Sequence, residues 1–177
     1  KVGVNKSTVT GIFPKKFRSN ILGAKKNGKY WASGISVVAH MKNPKIPALH
    51  FNTRFIITSK EWFGGGMDAT PSYSDNKEKK LIHDGLKKVC LQNKKNYKKY
   101  QKWCDEYFYL PHRKEPRGIG GIFFDYEQKD WIKNFQFVRE LGLTFLDISN
   151  KVINRKKKLA WTKKDKHNQL IKRGRYV

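Results

Sequence analysis

The stretch YWASGISVVAHMKNPKIPALHFNTRFIIT, residues 30–58, decides how this chain is read. Trp31–His40 is rich in β-branched residues, and Ala48–Thr58 alternates apolar with polar, so each reads as a strand. Asn43-Pro44 and Pro47 break regular structure between them. Side chains two apart share a face of a strand. Ser36, Val38 and His40 therefore point one way. His50, Asn52 and Arg54 also share a face, while Phe51, Thr53 and Phe55 point to the other. Paired as a hairpin, the strands can collect Ser36, His40, His50, Asn52 and Arg54 on one surface. Those groups suit holding a carboxylate and moving a proton. A solvated sheet face also carries polar residues without any chemistry, so the hairpin alone leaves both readings open.

The 177 residues predict one domain, spanning 1–177. With 38% hydrophobic and 14% aromatic residues a core can be built. No apolar run reaches the ~18 residues of a membrane span. Lys1 opens directly on folded-looking sequence, without a signal peptide. Two cysteines, Cys90 and Cys104, make no disulfide framework; a reducing compartment, hence a cytoplasmic location, is expected. There are 39 basic and 14 acidic residues, net +25. That charge raises a nucleic-acid-binding module as an alternative. Against it, lysine is scattered over every segment and outnumbers arginine, whereas a nucleic-acid footprint clusters on one face and uses arginine for base edges.

In chain order, residues 1–29 read as irregular apart from a short strand near Val2–Asn5. EWFGGGMDATPSY, residues 61–73, carries Gly64–Gly66 and then Asp68: a glycine-rich bend, or a place where something approaches the backbone closely. No Gly-Lys-Ser/Thr follows, which excludes a phosphate loop. Residues 75–93 predict a helix capped by Ser74 or Asp75, with His83 at the border of its apolar stripe. Asn96–Leu110 predicts a second helix with a core-type aromatic stripe, ended by Pro111. HRKEPRGIGG, 112–121, is a charged loop in which arginine and glutamate can pair, followed by a strand at Ile122–Asp125. Residues 130–153 predict an amphipathic helix with Trp131, Phe135, Val138, Gly142, Phe145, Ser149 and Val152 on one face, divided at Gly142. Arg155–Lys158 reads as solvated surface. Thr162 and Asp165 form a capping box for a last helix, stopped at Gly174. Arg175–Val177 looks like the start of a strand, and a chain shortened at both ends is expected.

WCDEYFYLPHRKEPRGIGGIFFDYE (103–127), WFGGGMDATPSY, SGISVVAHMKNP, HFNTRF, GVNKSTVTG and QLIKRGRYV together resemble the oxygen-dependent coproporphyrinogen-III oxidase family, in matching order and spacing over nearly the whole chain. The resemblance implies an α+β fold, a large flat antiparallel sheet flanked by α-helices on both faces, in a homodimer. It implies two oxidative decarboxylations of coproporphyrinogen III in haem biosynthesis, ring A and B propionates becoming vinyls, with O2 as co-substrate and no organic cofactor. It casts His50 as proton donor, Asp68 as the carboxylate at the pyrrole N–H groups, and Ser36, Asn52, Thr53 and Arg54 as substrate contacts, Arg54 gripping a propionate. O2 would react with the ring to give a peroxide that takes a hydrogen from the propionate. His40, His50, His83 and His112 match histidines assigned to a divalent, manganese-like metal in some members, while other members work without one. This chain departs from the pattern in having Glu61 before Trp62 and a short link from Phe55 to Trp62. The family also has a further C-terminal part with a Gly-Gly-Arg substrate contact, so a catalytically incomplete remnant of the fold is a third expectation.

Overall fold

A computed structural model describes residues 2–175. Five strands, β1 (Val2–Ile12), β2 (Lys29–Ala39), β3 (Ala48–Ile57), β4 (Glu61–Thr70) and β7 (Gly121–Glu127), pair antiparallel in the order β1-β2-β3-β4-β7. The helices are α1 (Asn76–Gln92), α2 (Tyr97–Tyr107), α3 (Trp131–Lys156) and α4 (Lys163–Gly174). A two-strand ribbon, β5 (Tyr109–Leu110) with β6 (Glu115–Pro116), follows α2.

One face of the sheet presents Leu49, Phe51, Met67, Ile122 and Phe124, all buried. Against them lie Ile82, Leu86 and Val89 of α1 and Phe137, Leu141, Phe145 and Ile148 of α3. Phe51 stacks on Phe145 at 5.0 Å between centroids, and Phe124 meets Phe137 at 5.0 Å. Each such side chain contributes ~1.5–3 kcal/mol by leaving water. Helix α2 straddles the edge at β7: Tyr100 meets Phe124 on the helix-covered face, and Tyr107 stacks on Phe123 on the other. Helix α4 is tied to the loop after β2 by Gln169 Nε2 to the Met41 carbonyl, 2.9 Å, and by Asp165 to Lys45, 2.8 Å.

The α+β class and the β2–β3 hairpin stand as expected, and the short link is a tight turn, Thr58–Lys60. Asp75 and the Thr162–Asp165 capping box start their helices. Five readings are corrected. The short strand expected near Val2–Asn5 runs on to Ile12 as a full edge strand; its side chains are nearly all exposed, so it has no hydrophobic period and is held by backbone pairing to β2. Gly64–Gly66 lies inside the buried strand β4, paired on both sides, and is no bend. Gly142 does not divide α3; an added Cβ there would meet only Phe51, 3.6 Å away, and the helix runs on beneath the sheet. Phe145 and Val152 are buried as expected, but the stripe is rotated toward Phe137, Leu141 and Ile148, leaving Trp131 and Phe135 about half exposed. Finally, Lys156 is buried against Glu78 and Asp75 rather than solvated. The strand expected at Arg175–Val177 falls at Tyr176 and Val177 outside the described residues; Arg175 caps α4.

Candidate active site

The second face of the sheet is open. Register places Ser36 opposite Asn52 and Asn52 opposite Gly66, while Val38, His50, Asp68 and Gly121 form the neighbouring row. His50 and Asp68 are thus a directly opposed cross-strand pair, with His50 Nδ1 2.9 Å from Asp68 Oδ1. Asp68 is only 3% exposed. Its second oxygen accepts from Arg117 Nη2 at 2.7 Å. The Arg117 guanidinium lies 3.6 Å above the Phe108 ring, a cation–π contact.

Further along the same face, Arg54 forms an ion pair with Asp125 and donates to Asn52 Oδ1 at 3.2 Å. Trp62 Nε1 donates to the other Asp125 oxygen at 2.9 Å. Gly64, opposite Arg54, makes room for this pair, because a Cβ there would fall 2.4 Å from Asp125 Oδ1 and 3.0 Å from Arg54 Nε. A recess of about 260 Å³ is floored by His50, Asn52, Arg54 and Gly66 and walled by Tyr107, Phe108 and Phe123. Sites for drug-sized ligands run ~300–1,000 Å³, so this recess lies just below that range.

The structure thus gathers His50, Asp68, Asn52 and Arg54 on one surface, with Ser36 beside Asn52. Thr53 is not among them. Its side chain is buried on the helix-covered face, where Gly65 would meet it, and shares an apolar groove with Phe55, Phe63 and Trp131. The period of two in a strand requires this. Arg54 is already charge-compensated by Asp125, so an incoming carboxylate would share the guanidinium.

The four candidate metal histidines lie apart. His83 uses both ring nitrogens, Nδ1 with the Tyr97 hydroxyl at 2.7 Å and Nε2 with the Ile119 carbonyl at 2.8 Å. His40 lies at the end of the sheet beside Gln169 and Arg173 of α4; burial, then the Arg173 charge, push it below the usual histidine range. His112 is exposed in the turn after β5. Among the described residues no three His, Cys, Asp or Glu groups are placed to hold an ion, so the four do not fit as one coordination sphere.

Arg117 and Asp125 were not anticipated. In the charged loop, Arg113 does pair with Glu115, at 3.1 Å, but Arg117 turns inward. The signal was the glycines that follow it. A Cβ on Gly118 would lie 2.2 Å from the Ala69 carbonyl oxygen, and one on Gly121 1.9 Å from that of Met67. Only glycine lets this segment lie so close to β4, and that brings Arg117 to Asp68.

The molecule is therefore an α+β protein whose open sheet face carries two partly buried ion pairs beside a small aromatic-walled recess. The family model for coproporphyrinogen III oxidase matches residues 1–177. Among the relatives, an oxygen-dependent coproporphyrinogen-III oxidase of Rickettsia akari (strain Hartford) is 51% identical over 179 aligned residues, covering 100% of this chain and 64% of the relative. The enzyme so named from Rickettsia typhi (strain ATCC VR-144 / Wilmington) is 53% identical with the same coverage. This chain belongs to the coproporphyrinogen III oxidase family. It spans about 64% of the length of the curated relatives it matches. The net charge, which alone favoured nucleic acid, is outweighed by this family membership. No helix among the described residues is long and apolar enough to cross a membrane.

Proposed function

We propose that the protein containing this chain performs the oxygen-dependent oxidative decarboxylation of coproporphyrinogen III, converting the ring A and B propionates to vinyls to give protoporphyrinogen IX. The observation that carries this reading is the His50–Asp68 pair on the same open face as Arg54, in a chain whose every residue falls within the family match. Each decarboxylation removes carbon dioxide, one proton and two electrons from a propionate carboxylate arm, and O2 takes up the two electrons, with that proton and a second from solvent, to leave as hydrogen peroxide. In this reading Asp68 accepts from a pyrrole N–H and so raises electron density on the ring that is oxidised. Arg54, with Asn52 and Ser36, holds a propionate; a charge-assisted hydrogen bond of this kind is worth ~1.5–3 kcal/mol. His50 exchanges the proton. A tetracarboxylate is also drawn to a chain of net charge +25. No step here passes through a metal. A homodimer in the cytoplasm is part of the proposal, and light scattering of the purified protein checks the dimer.

The test is Asp68→Ala in the intact protein. Turnover, followed by oxygen uptake and porphyrin fluorescence after oxidation, is expected to fall ~100-fold or more, the scale seen when one preorganised polar group is removed from an active site. Circular dichroism should stay native. Near-normal turnover in a folded variant refutes the role.

A further inference from the structure

We infer that Arg117 is a positioning residue that sets which nitrogen of His50 carries the proton, acting through Asp68. The inference rests on the reading that His50 and Asp68 serve the recess, and it adds a residue that this reading does not use. Asp68 is 3% exposed, and a carboxylate taken out of water tends to keep its proton unless a charge compensates it. Arg117 supplies that charge at 2.7 Å, and a guanidinium does not deprotonate in proteins. With Arg117 Nη2 donating to Oδ2, the Asp68 carboxylate stands as the acceptor in both of its side-chain bonds. Its Oδ1 lies 2.9 Å from His50 Nδ1, so the hydrogen in that bond must sit on Nδ1. In neutral His50 the lone pair is then on Nε2. The opposite tautomer would set a lone pair against a carboxylate oxygen.

The guanidinium is itself fixed. Its plane lies over the Phe108 ring, and the Arg117 backbone N–H donates to the Phe108 carbonyl at 3.2 Å. Gly118 and Gly121 press the following backbone onto β4. Arg117 therefore reaches Asp68 from beneath the wall of the recess, and Asp68 in turn anchors the His50 ring through Nδ1. Lysine at 117 would keep the charge but lose the stacked plane.

Nitrogen-15 NMR of the histidine rings in the intact protein tests this, with His50 assigned by the signals missing from His50→Gln. Neutral His50 is expected to favour Nδ1–H by ~10–100-fold, the population ratio of one charge-assisted hydrogen bond. Arg117→Met should reduce the preference to within about threefold, and Arg117→Lys should restore much of it. A predominance of the Nε2–H tautomer in neutral His50 of the wild type overturns the inference, and this needs no variant to fold. An unchanged tautomer in folded Arg117→Met overturns it equally. Absence of coproporphyrinogen turnover together with the expected spectra would instead refute the proposed reaction and leave the Arg117–Asp68–His50 relation standing.

Discussion

Replacing Lys156 by Met should destabilise the protein by about 3 kcal/mol at neutral pH, with most of the loss coming from Glu78. Glu78 is 1% exposed on α1, and Lys156 Nζ lies 2.7 Å from its Oε2. The same ammonium lies 2.9 Å from Asp75 Oδ2, the N-cap of α1. Removing one member of a buried ion pair costs ~3–5 kcal/mol because the other charge is stranded, whereas an exposed pair is worth ~0–1 kcal/mol. Asp75 lies nearer solvent and contributes at the low end. Burial raises the Glu78 carboxyl above its ordinary range even though Lys156 pulls the other way. A raised carboxyl binds its proton more tightly folded than unfolded, so its stability contribution improves as pH falls through the folded value. Without Lys156 that value rises further. The loss in Lys156→Met should therefore be greatest at neutral pH and shrink as the solution is acidified and Glu78 takes up a proton. Asp75 has the opposite sign: its N-cap bond from the Glu78 amide, then Lys156, lower its pKa. Its stabilisation is present above the unfolded value and lost as pH falls through the folded one. Urea unfolding of the intact protein, followed by tryptophan fluorescence over that pH range, measures the difference. The midpoint temperature should fall by roughly 6–12 °C, at 2–4 °C per kcal/mol for a chain of this size. Adding Glu78→Gln to Lys156→Met should recover most of the loss. A loss below about 1 kcal/mol at pH 7, or one that grows on acidification, would sink the argument.

Gly64→Ala sets a methyl against the Arg54–Asp125 pair. Because those atoms end flexible side chains, stability should change by less than about 1.5 kcal/mol, while loss of the aligned guanidinium raises KM ~10-fold or more; a wild-type KM would show that the pair does not orient substrate. His83→Phe removes both ring hydrogen bonds and should cost about 1–3 kcal/mol without altering metal content by elemental analysis; a lost metal equivalent would restore His83 as a ligand. Burial pushes the Cys90 thiol up to about 12 and that of Cys104 well above its ordinary range. Neither should react with an aromatic disulfide at pH 8 in the native state, while both should in denaturant; rapid native labelling of either would contradict the packing around α1 and α2.

Local patterns carried much of the architecture. The alternation in Ala48–Thr58 and the helix caps at Asp75 and Thr162 act through neighbours a few residues away, and each element formed where its pattern lay. The same period of two put His50, Asn52 and Arg54 on one face and Thr53 on the other, so even the departure of Thr53 followed from local geometry. The extent of the first strand beyond Asn5 was illegible for the converse reason: an edge strand exposed on both sides has no apolar period, and only its pairing with β2 carries it to Ile12.

The partners of charge were decided by tertiary structure alone. Arg117 stands 49 residues from Asp68, Asp125 stands 71 from Arg54, and Lys156 had the look of a solvated run until α3 carried it against Glu78. A sequence states which side chains can ionise and, through the strand or helix period, which way they leave the backbone. Which of them meet depends on the register of β3 with β4 and β7, and that register is set by the whole core beneath the sheet.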